Sequence, residues 1–256
     1  MSEHVKVERD GALMAVTLAR PERRNAITVA MYAALADAVE DGANDESVRL
    51  ILFRGEGVDF AAGNDLADFL EVRGGEEVAV WRFLRVLASC ETPLMAAVHG
   101  NCVGIGTTML LHCDLVVAEE ATRFSMPFVD LGLVPEAGSS LLLPALAGPR
   151  AAARFLLLAE PFGVDEAMAI GVVSHRAPAG ELETESGRIA AALLAKPAEA
   201  LKATQRLLRY GRRDDIIARM QLESSVFAER LGSPEVEQAI RSFFDKGKAG
   251  ARSPLS

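Results

Sequence analysis

Short apolar runs alternate with longer stretches of helical periodicity, and that alternation carries the first expectations. Residues 4–8 alternate polar and apolar, 13–18 are largely apolar, and Asp10-Gly11 lies between them. An Asp-Gly pair between two such runs predicts a hairpin. Residues 21–25 read as a polar loop. Thr28 is placed to cap a helix to about residue 40, with Met31, Leu35, Ala38 and Val39 on one face. Residues 49–54 read as a buried strand and 55–65 as a loop. Residues 76–90 carry Val80, Phe83, Leu84 and Leu87 at helical spacing, and Pro93 follows. A strand is expected at 94–99, then a glycine-rich turn, a helix to about 113 and a strand at 114–118.

Strand, helix, strand in repeated order argues an α/β fold with part of the sheet parallel. Beyond Pro149 the strand signals thin out. Helices are expected at 150–159, 165–170, 182–195, 197–210, 214–231 and 234–246, with one strand at 172–175. Leu193-Leu194, Leu201, Leu207-Leu208 and Phe243-Phe244 would need a partner surface. We therefore expect a core over 1–195 and a helical region over 196–256 that packs on another subunit.

Composition narrows the classes. At 256 residues the chain can bury a full core. No apolar run reaches the roughly 18 residues of a membrane span, and the N-terminus, with Glu3, Lys6 and Glu8, has no secretory pattern. Cys90, Cys102 and Cys113 have no zinc spacing and make no disulfide framework, so a cytoplasmic home is expected. The net charge of −9 argues against nucleic acid as partner.

The chemistry concentrates between Val98 and Ser140. Gly100, Gly104 and Gly106 punctuate the passage from strand to helix. Such a turn brings backbone N–H groups to a ligand without side chains in the way. A helix start leaves those groups unpaired and suits negative charge, a phosphate or a developing oxyanion. The turn matches neither the Walker loop nor the dinucleotide fingerprint. Taken alone, it also fits a tight connection with no ligand. Ala61-Ala62-Gly63-Asn64-Asp65 is a second glycine-containing strand exit. Two such loops after neighbouring strands would face each other at a sheet edge, where α/β folds bind ligands. Glu136 is the one charge in an otherwise apolar run. It reads either as a carboxylate at the start of the helix after Ser139 or as a base in a dry place. His99, His112 and His175 are scattered, and no metal site is expected.

Together these segments resemble the crotonase (enoyl-CoA hydratase/isomerase) superfamily. The resemblance rests on Arg20-Pro-Glu-Arg-Arg-Asn-Ala-Ile27, Phe60-Ala-Ala-Gly-Asn-Asp-Leu66 and Val98-His-Gly-Asn-Cys-Val-Gly-Ile-Gly106. Cys113-Asp-Leu-Val-Val-Ala118, Leu131-Gly-Leu-Val-Pro135 and the Ala195 to Leu201 segment follow in the family's order. It implies a crotonase-like fold: two roughly perpendicular sheets surrounded by helices, with a C-terminal trimerisation region. It implies an acyl-CoA thioester substrate, no separate cofactor, and a homotrimer or dimer of trimers. The backbone N–H groups of Asn64 and Ile105 would form the oxyanion hole, with Gly63 and Gly104 allowing close approach. Coenzyme contacts would come from Arg24, Ala26, Ala62, Phe227 and Lys246, the last two from this chain or a neighbour. Asp65, Leu66, Pro127, Phe128 and Leu131 would line the rest of the site.

The departures point within the family. The two glutamates that hydratases use to add water fall at Thr108 and Phe128. Met126 to Ser140 resembles instead the Δ3-Δ2-enoyl-CoA isomerases, whose catalytic glutamate stands where Glu136 is. The expected reaction is therefore a 1,3-proton shift from a 3-enoyl to a 2-trans-enoyl thioester. The rival readings are another acyl-CoA reaction of the superfamily (hydration, ring isomerisation, dehalogenation or hydrolysis, with Asp65, Asp130 or His99 taking part) and a non-catalytic acyl-CoA-binding or RNA-associated protein.

Overall fold

The computed structural model describes residues 2–66 and 77–250, with side chains for all of these except 77–78 and 243–250. β1 (Val5–Asp10) and β2 (Leu13–Leu18) form the antiparallel hairpin that Asp10-Gly11 predicts, with Gly11 at φ +55°. α1 (Val29–Asn44) starts at Thr28, whose hydroxyl accepts the Met31 N–H at 3.2 Å. β3 (Leu50–Gly55), β4 (Leu94–Val98) and β6 (Leu115–Glu119) then build a parallel sheet outward from β2, with α2 (Glu77–Ser89) between β3 and β4 in the chain. β9 (His175–Ala177) adds the far edge, giving the order β1-β2-β3-β4-β6-β9. One face packs under α1 and α2 around Met31, Leu35, Phe53, Phe83 and Leu87. The other face, with Leu50, Leu52, Met95 and Val117, is covered in part by α7 (Leu182–Leu194), through Ile189 and Ala190.

A second, three-stranded sheet was not read from the residues, although the resemblance implied one. It consists of β5 (Asn101–Val103), β7 (Arg123–Ser125) and β8 (Phe162–Gly163). Its strands are two or three residues long, too short for an alternation to register. Phe162 of β8 packs against both Phe124 of β7 and Phe155.

Two expected elements are corrected. The helix after the glycine turn is a single α-turn, α3 (Ile105–Thr108), tightening into a 3-10 turn at Met109–His112. The strand expected at 172–175 lies at β9; Val172 and Val173 are instead buried after α6 (Val164–Ala169).

The helical remainder is α4 (Ser139–Ala147), α5 (Pro149–Leu157), α8 (Ala198–Arg209), α9 (Arg213–Leu231) and α10 (Pro234–Gly250). Met220 of α9 and Val236 and Ile240 of α10 belong to the main apolar core of the same chain. Leu207, Leu208 and Tyr210 remain exposed. No helix of the described residues is long and apolar enough to cross a membrane.

Candidate active site

Two loops build one wall of the site. The first runs through Ala61, which bridges Cys102 of β5, to Asn64, which bridges Ile27. The Ile27 N–H is donated to the Gly63 carbonyl at 2.8 Å and the Asp65 N–H to the Ile27 carbonyl at 2.9 Å. The Asn64 N–H therefore faces away from Ile27, as the alternation of a strand requires. The second loop turns at Gly104, φ +55°, whose N–H is donated to the Ser125 carbonyl. Ile105 is the first residue of α3, so its N–H has no partner within the helix.

The two loops touch. A Cβ at Gly63, φ +90°, would stand 3.1 Å from the Val103 carbonyl oxygen, and one at Gly104 would stand 4.0 Å from the Gly63 Cα. Any side chain at Gly63 would strain the backbone and push the loops apart. With α3 only four residues long, a helix macrodipole adds little here; the donors themselves carry the anion-stabilising capacity.

The loops are clamped from behind. Asn25 is fully buried and accepts the Arg20 N–H, while its amide donates to the Glu56 and Asp59 carbonyls. Arg20 donates to the Asp65 carboxylate at 2.6 Å and to the Ala26 carbonyl at 3.0 Å. Asp65 is thus held by a guanidinium. The buried Tyr32 hydroxyl of α1 donates to the Asn64 side-chain carbonyl.

In front of the loops lies a cleft of about 1130 Å³. Its walls include Arg24, Ala26, Ala62, Gly63, Asn64, Asp65, Leu66, Gly104, Ile105, Pro127, Phe128, Leu131 and Phe227. α9 and α10 close one side through Phe227, Glu235 and Gln238. The Arg24 side chain is largely exposed, 3.7 Å from Asp59, and Asp130 is exposed on the same cleft. His99 is not on its wall; its Nε2 sits 3.0 Å from the Gly57 carbonyl. The Lys246 side chain lies outside those described.

Glu136 is not on the wall of this cleft either. It is 8% exposed, and its Oε1 accepts the Thr108 hydroxyl at 2.6 Å. Burial pushes its carboxyl up to about 7; the Thr108 bond opposes that rise and the charge of Glu223 adds to it. The role of a carboxylate at the α4 start falls to Glu223 of α9, which accepts the N–H groups of Gly138 and Ser140. Of the two readings that the residues of Glu136 left open, the helix-start reading belongs to another side chain 87 residues further on. Nothing in the 136–140 segment signals this. The available signal was on α9, where Glu223 shares an apolar stripe with Met220 and Phe227 at helical spacing. Among the described residues no cluster of His, Cys, Asp or Glu is arranged to hold a metal ion.

The chain matches the enoyl-CoA hydratase/isomerase family over residues 8–252. It belongs to that family. It is 31% identical over 249 residues to enoyl-CoA delta isomerase 2 of Rattus norvegicus, covering 94% of this chain and 63% of that protein, so it spans less than two thirds of the rat chain. It is 29% identical to the crotonyl-CoA hydratase of Syntrophomonas wolfei subsp. wolfei, over 96% of this chain and 97% of that one. The crystal structure of an enoyl-CoA hydratase/isomerase from Pseudoalteromonas atlantica T6c superposes with a TM-score of 0.91, at 37% identity over 99% of this chain and 100% of that one. Isomerases and hydratases thus stand equally near, and the crotonase fold is shared. Members of the family act on acyl-CoA thioesters.

Proposed function

We propose that the protein is a Δ3-Δ2-enoyl-CoA isomerase with Glu136 as its single base. Glu136 takes a proton from C2 of a 3-enoyl thioester. The N–H groups of Asn64 and Ile105 hold the dienolate oxygen, and protonated Glu136 returns the proton to C4. Losing one such oxyanion donor typically costs about 10²–10³ in rate. One carboxylate serves both steps because C2 and C4 of a bent acyl chain share a face. The thioester brings its own coenzyme A, and the reaction needs no redox group or metal.

The observation that carries this reading is the environment of Glu136. It is a buried carboxylate poised near neutrality, the range that suits a general base. It is bonded to Thr108, which occupies one of the two positions where the family resemblance places a hydratase glutamate. The other position holds Phe128, a buried side chain on the cleft wall that excludes water. Hydration needs a second carboxylate to activate water at C3, and neither position supplies one. Asp65 is held by Arg20, which disfavours it as the base.

By the same resemblance the coenzyme lies along Arg24, the backbone at Ala26 and Ala62, and Phe227, with Lys246 at the phosphates. Trimeric assembly through the C-terminal helices and a cytoplasmic location complete the reading. A panel of 3-enoyl and 2-enoyl thioesters, scored for isomerisation and for hydration, tests it. The proposal expects turnover of the 3-enoyl series and hydration close to blank; efficient hydration of crotonyl-CoA would overturn it.

A further inference from the structure

Glu223 is a buried carboxylate that the scheme above does not use. It is 6% exposed on α9. Its Oε2 accepts the Gly138 N–H at 2.6 Å and its Oε1 the Ser140 N–H at 2.9 Å. A helix start leaves such donors without intrahelical partners. The turn they belong to is costly to hold. Ala137 sits at φ +60° and Gly138 at φ +71°, a left-handed conformation that is unfavourable for alanine. It persists only where the surroundings impose it. Buried His112 supports it from one side, with its Nε2–H donated to the Ala137 carbonyl at 2.7 Å; burial pushes its pKa down to about 4, so the ring is neutral. The Ser139 hydroxyl donates to the Glu136 carbonyl at 2.6 Å. Glu223 is the support that comes from the C-terminal arm.

We infer that Glu223 is a positioning residue for the Glu136 base, fixing the 136–140 turn through two backbone N–H groups and setting a negative charge beside the base. The inference rests on the proposed role of Glu136 and deepens it. Thr108 of α3 is bonded to Glu136, which is also coupled by charge to Tyr32 of α1 and Glu223 of α9. Arg219, one turn before Glu223, reaches the Ser140 hydroxyl at 3.3 Å and offsets part of the Glu223 charge. What remains of that charge disfavours the ionised form of Glu136. The C-terminal arm thus holds the turn that carries the base and adds to the upward push that burial gives its pKa, without touching the reacting atoms.

The test reads Glu136 directly. Protein labelled with carbon-13 at its glutamate carboxyl groups is titrated by NMR, and the resonance missing in Glu136→Gln identifies the base. In Glu223→Gln that resonance titrates at lower pH than in wild type, because a neighbouring negative charge has gone. On a 3-enoyl thioester, kcat falls roughly 10–100-fold while KM changes less than about threefold. Glu223→Asp keeps the charge but is one methylene short of its two N–H partners. It lowers kcat without moving the titration to lower pH, and it carries the test if Glu223→Gln does not fold. An unmoved Glu136 titration in folded Glu223→Gln, or wild-type kcat in Glu223→Asp, overturns the inference. The titration does not depend on the reaction catalysed. A wild type that leaves 3-enoyl thioesters unchanged would refute the proposed function, and the titration would still decide the role of Glu223.

Discussion

Glu136 and Glu223 are buried carboxylates at one helix start, and their surroundings differ in the donors they offer. Glu223 meets two backbone N–H groups through both its oxygens and has Arg219 nearby. Burial raises its pKa, and Ser140, Gly138 and Arg219 pull it back. A carboxylate with that many donors is spent on structure. Glu136 has one hydroxyl donor, Thr108, and otherwise buried surroundings that push it up to about 7. A carboxylate so poorly solvated gives up stability and keeps its reactivity. The same residue type, 87 positions apart in the chain, meets two backbone N–H groups in one case and a single hydroxyl in the other, and the proposed function makes the first a strut and the second a base.

The contrast can be broken at either member. The largest effect is expected at the base itself. Glu136→Gln keeps the shape and can still accept the Thr108 hydroxyl, but cannot take a proton. Its kcat on 3-enoyl thioesters should fall about 10³–10⁴-fold with thioester affinity within a few-fold, by steady-state kinetics and direct binding. Near-wild-type turnover would transfer the role to Asp130 or Asp65.

The same substitution should stabilise the fold. Because the folded-state pKa of Glu136 lies near 7, above its ordinary 4.5, the folded protein holds this proton more tightly than the unfolded chain does. Stability is therefore lost as pH rises from about 4.5 to about 7, and the full cost, on the order of 3 kcal/mol, is present above that. Glu136→Gln should raise the melting temperature at pH 8 by several degrees and change it little at pH 4. Equal shifts at both pH values would mean that the carboxyl is not strained by burial.

A smaller effect is expected at the donor. Thr108→Val removes the bond that lowers the Glu136 pKa, so the rising limb of the kcat profile should move to higher pH. Activity at pH 7 should fall roughly three- to tenfold and recover in part in alkali. The smallest is expected far from the base. Lys246→Ala should raise KM a few-fold for short and long thioesters alike with kcat unchanged, as loss of uniform binding does.

Much of this arrangement was legible along the chain. The Asp10-Gly11 hairpin, the Thr28 cap and the alternation of strand and helix follow from local chemistry. The glycine loops declare themselves because positions 63 and 104 need positive φ and close approach. The second sheet was not legible, since pairing of two- and three-residue strands is decided by tertiary contact rather than by any local pattern. Nor was the partition of roles between the two carboxylates. Gly138 and Ser140 meet Glu223 across 85 and 83 residues, and no spacing rule reports a hydrogen bond made only when α9 docks.

The central claim is that one dry carboxylate both removes and returns the proton. Label transfer tests it most directly. A 3-hexenoyl thioester deuterated at C2 is turned over by the wild-type enzyme, and the 2-trans product is scored for deuterium at C4. A base screened from water should deliver a measurable share of that deuterium to C4. A product carrying only solvent protons at C4, at every extent of reaction, would contradict the account.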